Sequence, residues 1–527
     1  MKKCKVALVN APPLGVVEPW YDTPEFPRGA LAALAGYLLQ YSYIEVICID
    51  AKFEKLSFDE TIRKILNFDA DVVGFTAFTN EIKPCAYIAH KIKEKKPKVI
   101  NVVGGAHPSA LPEITLKQFP AFDIVAIGDG EETIYEICEY ALGYLSLSAI
   151  RGICFRENNA IVKNHDRARI LNQDALPMPA WNLMPRGNHY WLQSAKGCPF
   201  NCVFCMNHNG KVVRKNGIEK TMDEIQFVLD NYHPEWIRFG DELFTADRNR
   251  TLAFLKAWIE RGFQHRVKWD VQTHVAYVDD EMLQLFKQAN ITQLDMGIES
   301  GDNAVLKKMG KGTTEEMIIQ AFQKAHKYGI KTGSLLLLGQ PNETIESMKK
   351  TVDMAIKINS ALPMFGVMMP LPGTEVAKMA AMGTHGYKNL NTNWDEYRKN
   401  VGVSVEFQNF TRADIDKAQF WGFVNVFLHN HRYLDFLNFI WKYKTEGWNN
   451  VKKILFKKKS IKDYFDKMPA DYEYVMSLGE KFDALEIVTA RENFNKIQIA
   501  ELKRTKADAP YLLQEQMPLK TPSKDNM

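Results

Sequence analysis

Short runs rich in β-branched residues recur through most of this chain, each set apart by a helix-length segment, and that alternation restricts the possible folds more than any other feature. The first series is Val6–Val9, Glu45–Ile49, Val72–Phe75, Val99–Val103 and Ile124–Ala126, with an amphipathic helix at Leu31–Leu39 after Pro27-Arg28-Gly29. Strands alternating with helices predict a parallel sheet covered on both faces, which lets the strands be apolar throughout. A second series follows from Tyr190: Trp191–Ala195, Trp236–Phe239, Lys268–Val271, Gln293–Ile298, Thr332–Leu338 and Phe365–Met369. Helical patterns fall between them, near 220–230, 247–261, 280–289, 314–328 and 344–359. Six such units suit a full or partial barrel, with chemistry at the carboxyl ends of its strands. A chain of 527 residues accommodates two separate α/β domains more readily than one very large sheet.

The segments around these series complete the expected layout. Residues 1–145 form the first domain and 146–185 a connector, with a hairpin (Gly152–Phe155, Ala160–Val162) and the proline-rich stretch Leu176-Pro177-Met178-Pro179. Residues 186–400 form the barrel. From 401 to 505 only helices are expected, dense in aromatics (Phe420, Trp421, Phe423, Phe427, Tyr433, Phe436, Phe439, Trp441), and Lys506–Met527 reads as a loose tail.

Composition narrows the function classes. Hydrophobic residues at 46% and charged residues at 25% exclude wholesale disorder. Sixty-seven basic residues against 63 acidic give a net charge of only +4, so no nucleic-acid partner is expected. Eight cysteines are too few for a disulfide scaffold. The apolar run Val6–Val9 is too short for a signal-peptide core, and nowhere do 18 apolar residues run together. A cytoplasmic protein is expected. Between Lys442 and Lys467 nine lysines stand against Glu446, Asp463 and Asp466. An amphipathic basic helix there would permit contact with a membrane surface. The plainer and favoured reading is a helical cap with its apolar face on the barrel and its lysines in water.

The sharpest local feature is Lys196-Gly197-Cys198-Pro199-Phe200-Asn201-Cys202-Val203-Phe204-Cys205, in a loop directly after a predicted strand. Three soft thiolates spaced C-x3-C-x2-C converge on one soft metal centre. Four would close a zinc site or an ordinary iron–sulfur cluster, whereas three leave one iron of a cubane open to another molecule. The alternative is a zinc knuckle with His208 as fourth ligand. Cys4, Cys48, Cys85, Cys138 and Cys154 read as small buried apolar residues. After the first-domain strands stand Thr76-Ala77-Phe78-Thr79-Asn80, Gly104-Gly105-Ala106-His107 and Gly128-Asp129-Gly130-Glu131, either tight turns or backbone that a ligand can approach closely.

The cysteine segment resembles the cluster loop of the radical SAM enzymes, C-x3-C-x-aromatic-C, with Phe204 as the aromatic residue. The resemblance covers about residues 186–400 and implies that Cys198, Cys202 and Cys205 hold a [4Fe–4S] cluster whose fourth iron is chelated by S-adenosylmethionine. One electron then yields a 5′-deoxyadenosyl radical that removes hydrogen from a small-molecule substrate, the electron coming from a reductase or a flavodoxin- or ferredoxin-type donor. The later strand ends fit in order. Phe239-Gly240-Asp241-Glu242 stands where the family binds the methionine amino group, and Gly297-Ile298-Glu299-Ser300-Gly301 where it uses Glu and Ser on ribose and carboxylate. Leu338-Gly339-Gln340-Pro341 resembles the loop flanking adenine, and Pro370-Leu371-Pro372-Gly373-Thr374 the family's proline–glycine turn.

A doubly wound domain directly before such a barrel is similar to the cobalamin-binding branch of that family. The expected fold is therefore α/β: an N-terminal doubly wound, Rossmann-like cobalamin-binding domain, a partial (β/α)6 radical SAM barrel and a helical C-terminal domain. The resemblance places the corrinoid between the domains, with contacts from Thr76, Thr79, Asn80, Gly104, Gly105, His107, Gly128, Gly130 and Glu131. No D-x-H-x-x-G motif occurs in the first domain, so no histidine from that motif stands beneath the cobalt; His107 reads as a tail contact or a loop hydrogen bond. The implied activity is methyl transfer from methylcobalamin to an unactivated carbon. Oxidative cyclisation or rearrangement with the same cofactors, and a non-catalytic iron–sulfur or corrinoid carrier, are the alternatives. Such a cluster implies a reducing, anaerobic setting.

Overall fold

The computed structural model describes residues 2–14, 24–158, 160–398, 402–441 and 468–509. Its first sheet contains β1 (Cys4–Asn10), β2 (Ile44–Asp50), β3 (Val72–Thr76), β4 (Ile100–Gly104), β5 (Ile124–Ala126), β6 (Ile153–Glu157) and β7 (Ala160–Lys163), in the order β2-β1-β3-β4-β5-β6-β7. The first five strands are parallel, with Val6 opposite both Val46 and Val72. Successive residues alternate between two cores: Val6 and Leu8 pack on one side of the sheet, Ala7 and Val9 on the other. That two-sided burial is why these strands carry no polar face. The order reverses between β1 and β3, and sheets of this kind open a ligand crevice at such a point, beyond the carboxyl ends.

The hairpin expected in the connector is present, but it is not a connector. β6 pairs antiparallel with β5, and β7 with β6, so the first sheet runs to Lys163 rather than ending near residue 145.

The second sheet consists of β8 (His189–Leu192), then, after two short strands β9 (Ala195–Lys196) and β10 (Arg214–Lys215), β11 (Trp236–Phe239), β12 (Lys268–His274), β13 (Gln293–Glu299), β14 (Thr332–Leu338) and β15 (Leu362–Val367). Its order is β15-β14-β13-β12-β11-β8, all parallel, with no pairing between β15 and β8, so the barrel is partial. Several boundaries differ from expectation, β12 running on to His274. β8 begins and ends earlier, because Ala195–Lys196 leaves the sheet to pair antiparallel with β10. β15 begins earlier and includes Pro363, which an edge strand tolerates because no neighbour needs its missing N–H.

Beyond residue 386 the chain is not helical only. β16 (Tyr387–Leu390) and β17 (Val405–Phe407) form an antiparallel ribbon. The helix Arg412–His429 begins at a Thr411–Asp414 capping box and packs on the helix Ile345–Ile358 and on β15, where Gly422 lies against the Phe365 ring. The last described helix, Glu486–Asp508, continues past Lys506, where the tail was expected. The lysine-rich stretch 442–467 and residues 510–527 lie outside the described residues.

Candidate functional site

The cysteine loop leaves β9 at Lys196 and returns at β10. Gly197 closes the narrow base: its φ is +99°, and a Cβ there would stand 2.2 Å from the Val212 carbonyl oxygen. Backbone bonds then fix the loop from several directions. Cys198 N donates to Gly210 O (3.0 Å), Cys205 N to Cys202 O (3.0 Å), Val203 N to Met309 O (3.1 Å) and Val376 N to Val203 O (3.1 Å). Asn207 Nδ2 donates to Cys198 O at 2.6 Å and Lys211 Nζ to Phe200 O at 2.8 Å.

All three loop cysteines are free thiols, and Cys205 is exposed. Burial pushes Cys198 and Cys202 up to about 12. Cys205 adds to the rise at both of the others, so the three stand within electrostatic reach of each other. Such thiols stay protonated until a cation displaces the proton. Among the described residues no three His, Cys, Asp or Glu side chains gather closely enough to hold a single metal ion. Three soft thiol donors on one fixed loop are the donor set that an iron–sulfur cubane takes.

Around this loop the predicted residues divide. Of the acidic pair after β11, Asp241 is turned away: its carboxylate accepts from Ser194 N (2.7 Å) and Ser194 Oγ (2.6 Å) in a buried site, and burial pushes it up to about 6. Glu242 faces the loop, accepting from Gly197 N at 3.0 Å and from the Asn209 side-chain amide. Neighbours at a strand end point to opposite sides, so only the fold separates them. Gly240 makes room for Trp191, whose Nε1 would lie 1.5 Å from a Cβ there.

Glu299 closes β13 at a register shift and adopts φ +68°, a left-handed conformation costly for a non-glycine residue. Its carboxylate meets Lys311 Nζ at 2.5 Å, both side chains being buried. Gly297 leaves space for that ammonium, since a Cβ would stand 2.3 Å from Lys311 Nζ. Ser300, expected beside Glu299, is instead fully buried and turned to the helix Ile345–Ile358. Its hydroxyl lies 3.2 Å from Thr351 Oγ1 and accepts from Asp302 N, a helix-start role. Gly339 has φ +89° against the Phe407 ring, and its N–H donates to Glu343 Oε2 at 2.6 Å. Phe204 is half-buried between the two main cores.

In the first domain the predicted crevice residues gather at the carboxyl edge. Gly105 has φ +105°, and a Cβ there would stand 2.8 Å from Ala77 O, so the β3 and β4 loops touch through backbone. His107 is buried; its Nδ1 lies 3.3 Å from Thr79 Oγ1 and its Nε2 has no hydrogen-bond partner. Burial lowers this imidazole to about 3, so it is neutral. Thr79 is buried beside it, while Thr76, Asn80 and Gly104 are half-buried and Gly105 and Gly128 exposed. An unpartnered ring nitrogen, exposed glycine backbone and short hydroxyls fit a ligand with amide and phosphate groups such as a corrinoid tail. The Gly128–Glu131 loop has further occupations. Gly128 N donates to Ser109 Oγ, Gly130 packs on Leu34, and Glu131 accepts from Lys196 Nζ at 3.1 Å, next to the cysteine loop.

Several residues escaped the sequence reading. Buried Asp129 pairs with Arg169 (3.0 Å) and with fully buried Arg214, joining first sheet, connector and barrel. Burial opposes its ionisation, but the two guanidiniums outweigh that and hold its carboxyl well below the usual range. His274, at the end of β12, stacks on Phe200 of the cysteine loop with ring centres 4.4 Å apart. Its Nδ1 accepts from Ala276 N, so Nε2 carries the proton toward Lys311 O (3.2 Å). A histidine at a barrel strand's carboxyl end was the available signal. Trp394 covers His107, ring centres 4.9 Å apart, and nothing in the local sequence marks it.

The two sheets and the C-terminal segment meet at Gly373, in the turn after β15. A Cβ there would touch Ala110 of the first domain (3.1 Å) and Met206 of the cysteine loop (3.3 Å), and its carbonyl accepts from Arg491 Nη1 at 2.7 Å.

Comparison with known proteins agrees with this arrangement. Residues 192–355 match the radical SAM superfamily, and residues 23–138 match the B12 binding domain. An uncharacterized methyltransferase of Pyrococcus horikoshii is 28% identical over 437 residues, covering 81% of this chain and 93% of that protein. An anaerobic magnesium-protoporphyrin IX monomethyl ester cyclase of Rubrivivax gelatinosus is 26% identical, covering 67% of this chain and 66% of that protein. The solved structure of the cobalamin-dependent S-adenosylmethionine radical enzyme OxsB superposes with a TM-score of 0.65 at 17% identity, over 97% of this chain and 81% of that one. Among the described residues no helix is long and apolar enough to cross a membrane. With a three-thiol loop at the barrel mouth and a B12-type sheet against it, the chain joins a B12 binding domain to a domain of the radical SAM superfamily.

Proposed function

We propose that this protein is a cobalamin-dependent radical SAM methyltransferase that places a methyl group on an unactivated carbon of a small molecule. The observation that carries the reading is the direct contact of the two carboxyl edges: the cysteine loop meets the first domain through Met206 and Ala110 at Gly373 and through Lys196 and Glu131. A methyltransferase relative aligned over most of both chains supports it. Cys198, Cys202 and Cys205 would hold the [4Fe–4S] cluster, and Phe204, Gly240, Glu242, Glu299 and Gly339 would surround S-adenosylmethionine. Thr76, Thr79, Asn80, Gly104, Gly105, His107 and Gly128 would line the cobalamin site. When bound, these groups supply a hydrogen-abstracting carbon radical and a transferable methyl group.

The chain itself contributes placement, charge and exclusion of water. Lys311 neutralises Glu299 and offsets part of the rise that burial imposes on the Cys202 thiol. Phe200, Leu243 and Tyr277 make an apolar wall beside the cysteines, on which neutral His274 stacks without adding charge. The helix Glu486–Asp508 covers the loop, with Gln498 Nε2 donating to Asn207 O (3.2 Å). A flavodoxin-, ferredoxin- or reductase-type donor supplies the electron from outside.

The test uses anaerobically reconstituted protein with methyl-deuterated S-adenosylmethionine and candidate substrates taken from the products of neighbouring genes. Deuterated methyl in the product supports methyl transfer. Formation of 5′-deoxyadenosine with product that gains no label favours instead the cyclase-type reading, which the Rubrivivax relative supports.

A further inference from the structure

The helix at 433–441 is apolar on two opposite faces. Its inner face carries Phe439, stacked on Phe423 of the helix Arg412–His429 with ring centres 5.0 Å apart and close to Phe427 at 5.8 Å. Its outer face carries Leu434, Leu437 and Trp441, at the three- and four-residue spacing that aligns side chains on one stripe. These are 78%, 59% and 72% exposed, and Tyr433 beside them is 57% exposed. On the neighbouring helix Trp421 and Leu428, seven positions apart, are 52% and 37% exposed. The one acidic group among the described residues 433–441, Asp435, is paired with Arg432 at 2.7 Å. A cluster of large apolar side chains turned to solvent marks an interaction surface.

The occupant is indicated by residue type and by charge. Tryptophan, tyrosine and leucine together are the residues that settle at a bilayer's headgroup boundary. Directly after Trp441 the sequence carries nine lysines against three acidic residues over 26 positions, in a chain whose net charge is only +4. A basic run contiguous with an aromatic stripe matches an anionic lipid surface, where apolar insertion and headgroup attraction act together. We infer that the face formed by Tyr433, Leu434, Leu437 and Trp441 docks the enzyme on anionic membranes as a peripheral protein.

The full chain is spun anaerobically with sucrose-loaded vesicles of phosphatidylglycerol and phosphatidylcholine, and with phosphatidylcholine alone, at low and high salt. The protein pellets with the anionic vesicles and is released by salt. Leu434→Ser/Leu437→Ser, at exposed positions, weakens binding about tenfold or more with an unchanged melting curve. Lys457→Gln/Lys458→Gln/Lys459→Gln weakens it and reduces the salt dependence. Failure to pellet overturns the inference. So does binding that the leucine substitutions leave intact, or a leucine variant that loses thermal stability because the face is covered by the chain itself. A dimer in sedimentation equilibrium that these substitutions split assigns the face to a second copy and overturns it as well.

Discussion

The carboxyl edges of the two sheets are both covered by chain from the C-terminal third, but with opposite chemistry. Over the first sheet the cover is aromatic: Trp394 lies on His107, and its indole N–H donates to Gln118 Oε1. Over the barrel loop it is polar: Gln498 and Arg491 bond backbone carbonyls, and buried Glu501 sits against Gly210 and 3.7 Å from Arg169. A neutral histidine can be covered by apolar surface without burying a charge. A loop of thiols that must become thiolates needs donors and cations near it, and these in turn need partners when buried. The comparison teaches that each cover is matched to the charge of what lies beneath it.

Four measurements can break or sharpen that contrast. The largest effect is expected at the thiols. Cys198→Ala, or the same change at Cys202 or Cys205, should remove bound iron and abolish 5′-deoxyadenosine formation while cobalamin binding persists, measured by iron analysis and visible spectra. Loss of both cofactors together would mean that the two edges are not separable.

Next is the ionic side of the junction. Asp129→Asn leaves Arg169 and Arg214 buried without their carboxylate and should cost about 3–5 kcal/mol in denaturant unfolding. Because the folded carboxyl is held below its ordinary range, this contribution is complete above about pH 4 and fades as pH falls further. The variant should lack that acid dependence.

A purely steric effect is smaller. Gly240→Ala drives a methyl into the Trp191 indole and should destabilise by about 1–3 kcal/mol, read as a lower melting temperature. An unchanged melt would show that Trp191 can move aside.

The last effect, about 2 kcal/mol over the range from pH 6.5 to pH 5, belongs to the histidine crevice. Buried His107, lowered to about 3, disfavours folding once the unfolded histidine takes up a proton, below about pH 6.5. Its share amounts to about 1.4 kcal/mol per pH unit below that point, until the folded group itself titrates. His107→Leu should flatten the stability profile between pH 6.5 and pH 5; an unchanged slope would place its acid sensitivity elsewhere.

Much of this could be read from residues in order. The βα alternation of both sheets depends on local apolar runs, and the C-x3-C-x2-C loop on neighbours within an eight-residue span, so no long-range knowledge was needed. Helix starts at Ser57, Thr344 and Thr411 are equally local. Boundaries failed where pairing partners are distant. The hairpin β6–β7 was taken for a connector because only its antiparallel pairing with β5 makes it part of the first sheet. Asp241 and Glu242 are adjacent and alike in sequence, yet Ser194 takes one and the cysteine loop the other. Ser300 was placed by motif, and its hydroxyl is taken by Thr351, 51 positions away.

By itself, then, the sequence determined which elements form and which residues can ligate soft metal, since both follow from short-range pattern and side-chain chemistry. Tertiary structure alone decided which groups meet: Asp129 with Arg214 across 85 positions, Trp394 over His107, Lys311 on Glu299. Those meetings depend on how two sheets and a returning C-terminal segment pack, and packing is set by the summed fit of many surfaces, which no local run of residues encodes.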